Sequence, residues 1–214
     1  MTGRRAILFC LGGAGCAELG RPPVAEPPGE LSGFALADPV PAIVTRAAQD
    51  FDAGGAGLAG RPAATALAAA RLEWLAVEAA PGGRLAALAP SYRFTLDRAR
   101  DELRGALAIR ADAPPEAAAR ALVAASRALS SSDRAAAERV LAPGPVFRAA
   151  EPGPLRRLAQ PGPQPSAQIA TAGIREEVSR LVSPSEGGGL QRAVPFDSPG
   201  QGLSTFGFIH DTLR

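Results

Sequence analysis

Between Asp38 and Ala142 apolar residues return every three or four positions, and proline or glycine interrupts the rhythm at intervals. That is the spacing of helices with one buried face, and it predicts five of them. Asp38-Pro39 offers an N-cap followed by proline at the first helical position; Val40, Ile43, Val44, Ala47 and Phe51 then share one side until Gly54-Gly55. A second helix is expected from Pro62 to Ala80, carrying Leu67, Leu72, Trp74, Leu75 and Val77, with Pro81-Gly82-Gly83 as its stop. Its periodicity is poor, because Arg71 and Glu78 fall near the apolar side, so this helix is expected at the centre with small residues letting neighbours approach.

The third stretch, Ser91 to Ile109, aligns Tyr92, Leu96, Ala99, Leu103, Ala106 and Leu107 in one stripe. Its other face sets Arg93 with Asp97, Arg98 with Glu102 and Asp101 with Arg104, spaced to pair along a solvated surface. Pro114-Pro115 opens a fourth helix that turns Ala118, Ala119, Leu122, Ala125, Ser126 and Leu129 inward. Ser132 is expected to cap a fifth, in which Arg134 pairs with Glu138 while Ala136, Ala137, Val140 and Leu141 face the core. Short connections make antiparallel neighbours of the last three. No alternating pattern calls for a strand, so the expected fold is all-α: a small bundle of about five helices over residues 38–142.

After Pro143 the composition changes. Pro145, Pro152, Pro154, Pro161, Pro163 and Pro165 follow in close succession, and no compact core is expected over residues 143–214. One short helix is expected at 171–182, capped by Thr171, with Ile174, Val178 and Leu181 on one side. Beyond Gly187-Gly188-Gly189 a disordered tail is expected, whose apolar run from Leu203 to Ile209 is a candidate docking segment.

The first 17 residues follow a different plan. Arg4-Arg5 precede a short apolar run, Ala6 to Leu11, and then small residues lead to Cys16. This is the tripartite layout of a secretory signal, and the run is well short of the about 20 apolar residues that a membrane span requires. The paired arginines followed by Ala6-Ile7-Leu8-Phe9 resemble a twin-arginine translocation signal, with the hydroxyl residue at Thr2 and not directly before the pair. Gly13-Ala14-Gly15-Cys16 resembles the lipobox of bacterial lipoproteins, with Gly13 where a large aliphatic residue is usual. The resemblance implies that Cys16 is lipidated and becomes the new N-terminus; cleavage near Ala17 without lipid is the alternative. Residues 18–37, with Arg21-Pro22-Pro23 and Glu26-Pro27-Pro28-Gly29, are expected to form an extended tether.

Composition narrows the picture further. Aromatics make up 5% of the chain, with one Trp and one Tyr, so the core must rest on Leu, Val, Ile and closely packed Ala. All 23 basic residues are arginine, alongside abundant Ala, Gly and Pro, a set that shares GC-rich codons. Arg4 and Arg5 precede the first acidic residue, Glu18, so removing these two of the 23 basic residues leaves a balance with the 21 acidic ones. A neutral mature protein lacks the basic excess that nucleic acid attracts. Cys10 and Cys16 are the only cysteines, so the mature fold is expected to rest on packing without disulfides.

Several motifs fail for want of context. Gly55-Ala56-Gly57-Leu58-Ala59-Gly60 spells the dinucleotide fingerprint, but a capped helix and not a strand precedes it, and a flexible linker is the expected reading. His210 beside Asp211 offers too few ligands for a metal, and Gly202-Leu203-Ser204-Thr205-Phe206 misses the nucleophile elbow at its last position. Asp97, Asp101 and Glu102 are matched by arginines on a solvated face, a poor setting for acid-base catalysis. No catalytic, cofactor or metal residue is assigned; Cys16 stands alone as a lipid carrier. The expectation is an exported, non-enzymatic envelope protein, membrane-attached through lipid or soluble in the periplasm, that meets an envelope protein partner. The alternative is a periplasmic ligand-binding module or enzyme with a pocket between helices near Trp74 and Tyr92.

Overall fold

Six helices open on a proline, the residue whose fixed φ and missing N–H suit the first helical position. They are α2 (Pro39–Asp50), α3 (Pro62–Ala79), α4 (Pro90–Leu107), α5 (Pro115–Ser130), α7 (Pro154–Ala159) and α8 (Pro165–Val182). Two more α-helices are described, a single turn, α1 (Gly29–Ser32), and α6 (Arg134–Val140), and a 3-10 helix over Asp52–Leu58 joins α2 to α3. The computed structural model describes residues 26–35 and 38–182. Among the described residues there is no strand, only an isolated antiparallel bridge between Ile109 and Phe147, and the fold is an all-α bundle. The five helices expected between Asp38 and Ala142 are α2 to α6.

α3 is the central element. Of its 18 residues 13 are buried, on every side of the helix, and its alanines let α5 pack along it more extensively than any other pair in the fold. α2, α4 and α7 also pack on α3, and α8 lies across α2 and α4. The inward residues of α2 are those the spacing predicts: Val40, Ile43, Val44, Ala47 and Phe51 are all buried. Asp38 caps the helix, its carboxylate accepting the Val40 N–H at 3.0 Å.

The region after Pro143 departs from expectation. Phe147, Leu158, Ala167, Ala170, Ile174 and Val178 join the same core as α3. The loop before α7 is clamped to the end of α4, with the Arg110 N–H donating to the Val146 carbonyl at 2.8 Å and the Arg148 N–H to that of Ala108 at 3.0 Å. Its prolines mark helix starts and pinned turns, not the loss of structure. The last helix starts at Pro165, not at Thr171. Thr171 is buried in mid-helix, where its hydroxyl donates to the Ala167 carbonyl at 2.7 Å. A similar correction applies to α6: Asp133, not Ser132, is the cap, accepting the Ala136 N–H at 2.9 Å.

The expected tether also folds sooner than its prolines suggest. α1 falls within it, Leu31 is fully buried, and Gly33 in the left-handed region ends the turn. Arginines of three helices hold this turn. Arg71 of α3 donates to the Leu31 carbonyl at 2.8 Å, Arg46 of α2 to that of Ser32 at 2.9 Å, and Arg127 of α5 pairs with the Glu30 carboxylate.

Candidate functional site

Two concave regions flank the α3·α5 pair, and both arise from where those helices begin and end. The first lies at the C-terminal end of α3. Ala80 leaves the helix in extended backbone and Pro81-Gly82-Gly83 reverse the chain. Gly83 is required there: a Cβ on it would stand 2.2 Å from the Glu78 carbonyl oxygen. The reversal brings the Leu85 N–H onto that carbonyl at 2.8 Å and the Arg84 N–H onto the Glu78 carboxylate at 2.9 Å. It also carries the Arg84 guanidinium to 5.7 Å from the centre of the Trp74 ring, within cation–π range.

Trp74 forms part of the floor of a cleft of about 590 Å³. Leu31, Val77 and Ala119 add to its apolar surface, Pro27 and Pro28 form one lip, and the 81–83 turn forms another. Glu26, Glu78, Glu116 and Arg120 supply its charges. The volume falls within the range of small-molecule sites.

The second concave region lies at the opposite end of α3. One depression of about 720 Å³ is lined by Leu141, Ala142, Pro143, Pro154, Leu155 and Ala159, with Arg134, Glu138 and Arg156 among its polar residues. Another of about 400 Å³ runs along Ala63, Ala64, Leu67 and Ser126. Pro62 and Leu129 line both, so the two adjoin as one groove across the start of α3 and the end of α5. Ser126 ties the walls together, its hydroxyl donating to the Ala63 carbonyl at 2.8 Å.

Two acids perturbed by burial lie away from both regions. Arg104 of α4 grips Glu73 of α3 with two hydrogen bonds of 2.6 Å each, both side chains nearly inaccessible to water. Burial pushes the Glu73 carboxyl up, opposed by the hydrogen bonds from Arg104, while Arg104 is held protonated chiefly by its bonds to Glu73. Asp50 is likewise pushed up by burial despite its pairing with Arg71. Both acids hold helices together, and neither lines the cleft or the groove.

The sequence-derived candidates separate accordingly. Trp74 lines the cleft, but Tyr92 is not among its walls: the Tyr92 ring packs beside Gly173 of α8, where a Cβ would lie 3.1 Å from it. The expected pocket between these two aromatics is therefore not the one formed. Asp97, Asp101 and Glu102 are paired on the surface of α4, through Arg100 for the first two and Arg98 for the third. The Asp101–Arg104 pair is replaced by the buried Glu73–Arg104 contact.

The segment from Gly55 to Gly60 is an ordered part of the fold, not a flexible linker. Ala53, Gly54 and Gly55 all take positive φ, Gly55 is buried, and the Gly54 carbonyl accepts the Gln164 N–H at 2.8 Å. Cys16, Ser204, His210 and the Leu203–Ile209 run lie outside the described residues. Among the described residues no group of three or more His, Cys, Asp or Glu is placed to hold a metal, and no helix is long and apolar enough to cross a membrane.

The roles of Glu116 and Arg120 as cleft residues escaped the periodicity, which marks them simply as outward. Arg104 had a signal: it stands eight residues after Leu96 and three before Leu107, on the apolar side of α4. Compared with protein-family models, curated proteins and solved structures, the chain finds no match.

Proposed function

We propose that this chain is an exported envelope protein, anchored by lipid on Cys16, whose helical domain is a docking module for another envelope protein. The observation that carries the docking reading is the pair of adjoining depressions sharing Pro62 and Leu129. Together they present an open apolar trough with Arg134, Glu138 and Arg156 at its edge, the form that accepts the apolar stripe of a partner helix. The anchoring reading rests on the Arg4-Arg5 start, the short apolar run and the small residues before Cys16. Lipid supplies what a short apolar run lacks, since each buried methylene contributes about 0.8 kcal/mol and two or more chains give lasting attachment.

The two halves are tested separately. Cys16→Ala should move the protein out of the membrane fraction or leave an unprocessed precursor, whereas Cys10→Ala should do neither. A Cys16→Ala protein that is processed and fractionates like wild type removes the lipid anchor from the proposal. For docking, a photo-crosslinking residue at Leu129 or Leu155 should give one discrete adduct in intact cells, lost on Pro62→Arg. The same residue placed at Arg93 should give no such adduct. Equal labelling from the groove and from Arg93 refutes the groove as the contact surface.

A further inference from the structure

The Trp74 cleft has a chemistry of its own, distinct from that of the groove. Its walls come from three separate parts of the chain: the lip at residues 26–28, the end of α3 with its 81–83 turn, and the first turns of α5. Trp74 is 7% exposed. It lines this cleft, and the Arg84 guanidinium lies 5.7 Å from the centre of its ring.

The charges around the cleft are unequal. Of the three carboxylates, Glu78 is buried, accepts the Arg84 N–H and is balanced by the Arg84 guanidinium at 3.7 Å. Glu26 and Glu116 are exposed and stand on different walls, while the cleft's own guanidinium is that of Arg120. Among the described residues no ion pair joins Arg120 to Glu116, although they are four apart on one helix, or to Glu26. An apolar floor beneath two exposed carboxylates and one guanidinium suits an apolar body bearing one positive charge.

We infer that the cleft binds a small organic amine, its apolar body against Trp74 and Leu31 and its ammonium between Glu26 and Glu116. The pinning of α1 by Arg46, Arg71 and Arg127 keeps Leu31 and the neighbouring lip in place without ligand, so little ordering is left to oppose binding. Arg120 sits one turn from Glu116 and attracts anions that a purely acidic site would repel, which makes charge selectivity the decisive readout.

Trp74 is the only tryptophan in the chain, so its fluorescence reports on the cleft without a label. The full chain is titrated with four probes that share a phenyl body: phenethylamine, phenethyl alcohol, phenylacetate and phenylalanine. Phenethylamine should give a saturable change with a Kd of about 1 mM or tighter, as expected of a ligand with few heavy atoms. Phenethyl alcohol should bind about threefold or more weakly, in line with an exposed ion pair, and phenylacetate weakest of all.

Glu116→Gln should weaken the amine by about the same factor while leaving the alcohol unchanged, with an unaltered circular dichroism spectrum showing an intact fold. Four results overturn the inference. They are the absence of a saturable response to the amine, an alcohol or phenylacetate that matches the amine, an amine affinity indifferent to Glu116→Gln, and phenylalanine binding tighter than the amine. The last would assign the cleft to a zwitterion, with Arg120 as carboxylate partner.

Discussion

At the scale of single residues, the buried charges decide more than the exposed ones. Glu73 and Arg104 are each other's principal partner in a site without water access, so removing one leaves the other uncompensated. Glu73→Gln should cost about 3–5 kcal/mol, read from urea unfolding midpoints. Replacing both residues by Met should cost less than the two single changes combined, because no orphaned charge remains; the Ala111 carbonyl that also accepts from Arg104 is exposed and can turn to water. Glu30 titrates in the opposite sense to Glu73. Its hydrogen bond from Arg127 holds the carboxyl below the ordinary glutamate value, so the stability it contributes is present above that value and is lost as pH falls through the lower, folded one. The gap in stability between wild type and Glu30→Gln should be about 0.5 kcal/mol at neutral pH and should close on acidification.

At the scale of elements, the helices of the first two thirds are legible because apolar spacing and terminal punctuation agree. Asp38-Pro39 and Pro62 begin helices where they should, and the Arg134–Glu138 pair forms at 2.8 Å. The errors have one physical source. A proline restricts its own φ and removes a donor, which fits a helix start as well as a structureless run, and sequence alone cannot show whether a core awaits the helix that follows. Pro154 and Pro165 are such starts, and the core that receives α7 and α8 is assembled by residues far earlier in the chain. Thr171 misled for a related reason: its hydroxyl finds the carbonyl one turn back inside a helix as readily as an orphan N–H at a cap.

The 81–83 turn offers the sharpest test at this scale. Gly83→Ala places a methyl against backbone that cannot rotate away, so the turn must shift and Arg84 must leave Trp74. We expect a loss of about 1–3 kcal/mol accompanied by a change in Trp74 emission. Unchanged stability and emission would show that the reversal tolerates a side chain.

At the scale of the molecule, the all-α architecture was legible and the concave surfaces were not. Helical periodicity says which residues point inward along one element, but a cleft exists only where the ends of several elements meet. Glu26, Trp74 and Glu116 belong to three segments whose convergence no spacing encodes. Trp74 stood out by its rarity, and so did Tyr92, yet rarity carries no information about which neighbours a ring will find.

The three arginine contacts to α1 bear on how the domain resists mechanical load. A pull transmitted along the chain from ahead of Pro27 does not meet a lone helical turn that peels away. It meets bonds running to α2, α3 and α5, so the strain is shared in parallel before any helix unwinds. In single-molecule extension from the N-terminal side, the first rupture should therefore coincide with loss of the whole bundle. Replacing Arg46 and Arg127 together by Met should split off an earlier, weaker event, while Arg134→Met, on the exposed face of α6, should leave the trace unchanged.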